Sequence, residues 1–269
     1  MRQISGFLVL FLLWNVGASL VLVFAIQLGY ALPGLAVILA LYAWILWRVV
    51  YAGEAPERRW AAMRLRPLTG AALGWTAAAV PVLLLLSWAL GEVYIRLVPV
   101  PPDSFNPFGP IMEGSQGRLV LTVFAVGIAP VLEEFFFRGL IQRGLERRFG
   151  TGPGIAGAAA IFAFIHVLPW VFPLHFFLGL AFGYAVYATR SIWTGVILHA
   201  ANNAVAMAGI GFGGEEAEST PTLWQEGAGQ EWWISLALLT VTALVAFRIA
   251  RGMRNAGWER SLRPQPADG

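Results

Sequence analysis

The chain has 269 residues, 58% of them hydrophobic and 12% charged, against roughly 25% charged in a soluble domain. That balance excludes a water-surrounded globular domain and assigns most of the chain to a bilayer. The absence of cysteine excludes disulfides, thiolate nucleophiles and cysteine metal sites. All 18 basic residues are arginines set between apolar runs, a pattern of membrane topology rather than of a nucleic-acid-binding patch.

The first apolar run, GFLVLFLLWNVGASLVLVFAIQLGYA, follows Arg2. It is about twice as long as the roughly 7–15 residues of a signal-peptide core, so it is expected to stay as a first span. A helix crosses the hydrocarbon with about 20 apolar residues. Eight such candidates follow in chain order: about 5–29, 33–52, 71–95, 118–147, 153–169, 173–189, 192–211 and 232–251. The expected fold is all-α, a polytopic transmembrane bundle of about eight helices forming a single domain over 1–269. The fourth candidate is too long for one crossing. The fifth and sixth are short, and HVLPWVFPLH between them reads as a tight turn, broken at Pro169 and Pro173.

Threading eight spans with both termini cytoplasmic leaves only Arg96 and Arg118 on the outer side, as the positive-inside rule requires. The stretch 54–68, EAPERRWAAMRLRPL, reads either as a surface helix dipping Trp60, Met63 and Leu65 into lipid or as a plain basic loop. The proline-rich stretch from Pro99 to Gly117 is expected as an outer loop.

An ionisable group within a membrane span is a candidate functional residue, because burying it costs a few kcal/mol or more. Four places carry such groups. In the fourth span, Glu134 and Arg138 are four apart and share a helix face, so they can pair. Glu133, turned about 100° away, is left to face another partner. His166 lies in FAFIHV of the fifth span. His199 and Asn203, four apart in HAANN, share a face of the seventh. Counting 1.5 Å per residue brings Glu133, His166, His199 and Asn203 into one half of the bilayer. His175 is expected at the opposite interface, in a structural role. Each group also has a plainer reading, as a lock between helices or a packing histidine.

Together these residues suit water-mediated hydrolysis. Glu133 can serve as general base, His166 can hold and polarise the water, and His199 with Asn203 can stabilise an oxyanion. No serine or cysteine in these runs offers a nucleophile. The set also reads as a metal site, since Glu133, His166 and His199 match the two-histidine, one-carboxylate pattern of catalytic zinc.

EEFFFR (Glu133, Glu134, Arg138), FAFIH (Phe162, His166) and HAANN (His199, Asn203) follow the patterns EExxxR, FxxxH and HxxxN in order. The stretch from Arg118 to Met207 thereby resembles the CPBP family, the CaaX proteases and bacteriocin-processing enzymes also called the Abi family. The resemblance implies an intramembrane endopeptidase whose site opens to the cytoplasm. It implies Glu133 and His166 as the water-activating pair, His199 and Asn203 as the oxyanion hole, and Glu134 and Arg138 in support. It leaves a glutamate- or a metal-dependent mechanism open, with zinc as the possible cofactor. The implied partners are the bilayer and a prenylated CaaX-type or other membrane-associated peptide, with no nucleic acid. The lack of lysine and the abundance of Arg, Ala and Gly point to a GC-rich prokaryote, hence to a cell-membrane enzyme whose substrate need not be prenylated. An ion-coupled transporter and a non-catalytic scaffold or immunity protein are the alternatives.

Overall fold

The computed structural model describes residues 24–26, 28–51, 63–101, 114–166, 169–212 and 229–262, with single positions at 17, 21 and 227. Among them the chain is helical and contains no strand. In chain order the helices are α1 (Ala31–Tyr51), α2 (Gly70–Leu97), α3 (Ser115–Phe149), α4 (Thr151–Ile165), α5 (Phe172–Thr189), α6 (Ile192–Phe212) and α7 (Gln230–Leu262). They match seven of the eight expected spans. The first, 5–29, falls mostly outside the described residues, as do most of the outer loop and Trp60. Four stretches are long and apolar enough to cross a membrane: Gly70–Leu97, Ser115–Phe149, Pro169–Thr189 and Gln230–Ala256. Ala31–Trp44 and Thr151–Ile165 are apolar but shorter. The protein is an integral membrane protein.

Local chemistry sets the helix ends. Thr69 caps α2, its hydroxyl oxygen accepting from the Ala72 N–H at 3.1 Å. Gly150 separates α3 from α4 at φ +88°, a conformation that suits glycine. One 3₁₀ turn, Pro169–Val171, leads straight into α5. α2 lies along α7, α4 along α5, and α6 against α2, α3 and α5. An exposed ion pair, Arg96 Nη2 to Glu231 Oε2 at 2.6 Å, joins α2 to α7.

α3 is not a uniform α-helix. It passes through π-helical turns at Val123–Ile128 and Phe135–Gln142. Such turns are frequent at functional sites. The first precedes Pro130, which has no N–H to give.

The segment after residue 62 departs from both expectations for 54–68. Met63 is buried among Phe135, Phe136 and Phe137 rather than in lipid. Arg64 is buried as well, its Nη2 2.8 Å from Glu146 Oε2 and its guanidinium 5.7 Å from the Tyr187 ring centre. The Arg64 carbonyl accepts from the Ile192 N–H at 3.0 Å, and the Arg66 carbonyl accepts from Ser191 Oγ at 2.6 Å. The segment thus fastens the end of α3 to the α5–α6 turn. Its partners lie far along the chain, which is why local sequence favoured a surface position. Burial pushes the Arg64 guanidinium below its ordinary pKa, and the Glu146 carboxylate opposes that shift.

Removing one partner of a buried ion pair costs roughly 3–5 kcal/mol. Arg64→Leu is therefore expected to lower the apparent melting temperature in detergent markedly. Adding Glu146→Leu should recover part of the loss. An unchanged melting temperature for Arg64→Leu would show the pair to be dispensable.

Candidate active site

The site is built outward from α3. Glu134 is fully buried and Arg138 nearly so, with Arg138 Nη1 2.9 Å from Glu134 Oε1. Arg138 Nη2 donates to the Gly179 carbonyl of α5 at 3.3 Å. Its guanidinium lies over three rings, 4.7 Å from the centre of Phe162, 5.5 Å from Phe182 and 5.8 Å from Phe137. Aromatic faces attract a cation, most strongly where water is absent.

Two of those rings also hold His199. Phe182 stacks on it with centroids 4.9 Å apart and planes 20° from parallel, and Phe162 meets it edge-on at 5.6 Å. His199 Nδ1 donates to Glu134 Oε1 at 3.2 Å, so a single carboxylate oxygen serves both His199 and Arg138. His199 Nε2 lies 3.8 Å from Glu133 Oε2. Glu134 pairs with Arg138 and with α6, while Glu133 faces the other nitrogen of the same imidazole.

α6 reaches this position because of Gly195, one turn before His199. A Cβ at 195 would collide with Glu134 Oε2. One turn after His199, Asn203 Nδ2 donates to the Ala125 carbonyl at 2.8 Å. In the π turn the Ala129 N–H bonds to the Phe124 carbonyl, five residues back. The next residue in that register, Pro130, would take the Ala125 carbonyl if it had an N–H. Proline thus frees the acceptor that Asn203 uses, and the amide keeps one N–H to spend elsewhere.

His166 ends α4, its Nδ1 donating to the Phe162 carbonyl at 2.8 Å. Its ring meets Phe162 at 4.8 Å. His175 is not at a distant interface, which corrects its expected place. Its ring centroid is 3.9 Å from that of His166 and 6.2 Å from that of Phe162. α5 folds back so tightly onto α4 that its first turn faces the residue that caps the end of α4. The chain has three histidines, and all three rings gather around Phe162.

A polar stripe extends from Arg138 along α3 at intervals of four. Gln142 Nε2 donates to the Gly183 carbonyl at 3.0 Å and to Glu146 Oε1 at 2.9 Å, and Glu146 in turn holds Arg64 and Arg143. Gln142, Glu146, Gly195 and Phe182 were not among the residues singled out by sequence. The four-residue spacing from Arg138 and from His199 marks three of them.

Glu133 Oε2 and Glu134 Oε2 are buried with no hydrogen-bond donor among the described residues. A buried acceptor of this kind calls for a water or a substrate N–H. No group of three or more His, Asp or Glu side chains among the described residues is arranged to hold a metal ion. No step below runs through a metal.

The arrangement defines a class: a helical membrane protein with a carboxylate–histidine site enclosed by four helices. Residues 115–205 match the family model described as type II CAAX prenyl endopeptidase, Rce1-like. The match spans about a third of the chain and agrees with the resemblance of its motifs to the CPBP family. No curated protein and no solved structure matches.

Gly195→Ala is expected to lower the apparent melting temperature and to move the His199 ring signals in a spectrum of ¹⁵N-histidine-labelled protein. Gly209→Ala, where a Cβ meets nothing within 4 Å, should do neither. Equal behaviour of the two variants would contradict the contact between Gly195 and Glu134.

Proposed function

We propose that this protein is an intramembrane endopeptidase that hydrolyses a peptide bond in a prenylated CaaX-type or other membrane-associated peptide, through a water activated by Glu133 and His166. The observation that carries the reading is the gap between Glu133 Oε2 and His199 Nε2. At 3.8 Å it is too long for a direct hydrogen bond. Both atoms therefore remain available to a third group, and Glu133 Oε2 has no other donor among the described residues. The Rce1-like match supports proteolysis.

In this reaction Glu133 takes a proton from water as the oxygen attacks the scissile carbonyl carbon. The carbonyl becomes an oxyanion, stabilised by the spare N–H of Asn203 and by His199. For His199 to donate there, Nε2 must carry a proton, because Nδ1–H is spent on Glu134. His166 Nδ1–H is likewise spent on a carbonyl, so its Nε2 lone pair accepts a hydrogen bond from the water. The intermediate collapses as the C–N bond breaks, and the leaving amine takes the proton held by Glu133. The products are a new carboxylate and a new amine. Glu134 and Arg138 hold His199 and do not touch the reacting atoms. The site is proposed to face the cytoplasm of a prokaryotic cell, as the arginine distribution suggests.

General-base catalysis is worth about 10²–10⁴-fold and one oxyanion donor about 10²–10³-fold. Glu133→Ala should lose at least about 10²-fold in cleavage of a farnesylated CaaX peptide in detergent while keeping its melting temperature. Asn203→Ala should lose about 10²–10³-fold in kcat. Full activity of a folded Glu133→Ala variant would rule this mechanism out. Equal cleavage of farnesylated and unmodified peptides would assign the substrate to the wider membrane-associated class.

A further inference from the structure

His175 has no role in the mechanism above, yet its ring is in closer contact with His166 than any other ring among the described residues. The centroids are 3.9 Å apart and the planes 38° from parallel. Phe162 adds an edge contact to His166 at 4.8 Å. Each histidine also has a local anchor of the same kind. His166 Nδ1 is 2.8 Å from the Phe162 carbonyl and His175 Nδ1 is 3.0 Å from the Val171 carbonyl, each four residues back. A carbonyl oxygen only accepts, so both Nδ1 atoms carry hydrogen. In the neutral rings Nε2 is then the bare lone pair.

His166 is placed precariously. It is the capping residue beyond the last turn of α4, where a helix end frays, and it is only partly buried. One hydrogen bond fixes the direction of Nδ1 but not the tilt of the ring about that bond. The tilt is fixed by what lies on the ring face, which is His175, carried by the first turn of α5.

We propose that His175 is a positioning residue of the active site, whose ring, packed against that of His166 and tied to the Val171 carbonyl, holds the His166 imidazole in the Nδ1–H form with its Nε2 lone pair open to the reacting water. The proposal rests on the hydrolytic reading for its consequence, but the positioning can be measured without any substrate.

The chain has three histidines, so ¹⁵N-histidine-labelled protein gives three sets of ring signals, and a His166→Gln variant assigns that of His166. At alkaline pH, with neutral rings, wild-type His166 should show a proton-bearing Nδ1 and a bare Nε2. His175→Ala and His175→Gln should shift His166 toward the Nε2–H form or a mixture of the two. His175→Phe, which keeps a flat ring against His166, should leave it unchanged. In cleavage assays His175→Ala and His175→Gln should lower kcat on the order of 10²-fold, the scale of an ångström-sized misplacement, with little change in KM. His175→Phe should retain most activity.

If the His166 signals stay as in wild type in His175→Gln, or if His175→Phe is as disturbed as His175→Gln, the proposal is wrong. If His175→Ala does not fold, the Gln and Phe variants decide. If wild-type protein cleaves no peptide, the hydrolytic reading fails while the spectra still test the positioning.

Discussion

Glu134 and Arg138 are both withdrawn from solvent, separated by three phenylalanines on α3. Neither charge is stable there alone, since each buried ion costs several kcal/mol even after relaxation. They offset one another across one helical turn at 2.9 Å, and the remaining bonding capacity must be met by other helices. α5 supplies the Gly179 carbonyl and the Phe182 face, α4 the Phe162 face, and α6 the Nδ1–H of His199. Satisfying this one pair is what brings four helices to a common point. The rings that shelter the guanidinium are the rings that hold the imidazole, so the structural and the chemical parts of the site share the same walls.

The irregularities of the backbone follow the same requirement. Pro130 sits one turn before Glu134 and cannot complete the helix ladder. The resulting π turn exposes the Ala125 carbonyl, and Asn203 binds it. Inside a membrane a freed carbonyl must find a donor within the protein, and here the donor is a motif side chain. Gly195 solves the complementary problem of space, because a methyl group there would occupy the position of the Glu134 carboxylate. Beyond the site, Gln142, Glu146 and Arg64 continue the polar stripe toward the α5–α6 turn. The buried segment after Met63 thereby becomes part of the frame.

Much of the fold was legible because the bilayer imposes a single rule, a long apolar helix, on each span. Seven expected spans coincide with described helices, six of them to within a few residues, while the last helix runs on to Leu262. The Glu134–Arg138 pair was legible too, since helix geometry alone puts residues four apart on one face. What the sequence could not show were relations across helices. Arg64 is separated by 82 positions from its carboxylate partner, and no local pattern announces that. His175 was misplaced by counting depth along two separate spans, which ignores how sharply Pro169–Val171 turns the chain. The π turns were hidden for a similar reason: Pro130 flags a break in the ladder but not which carbonyl is released.

The central claim is that His199 is held by Glu134 rather than merely lying near it. A double-mutant cycle of Glu134→Gln and His199→Phe, read as apparent unfolding free energy in detergent, tests it most directly. Contacting residues of one buried network couple by about 0.5–3 kcal/mol, and a coupling above about 1 kcal/mol is predicted for this charge-assisted bond. Strictly additive effects of the two substitutions would contradict the account, because they would mean that the imidazole and the carboxylate do not depend on each other.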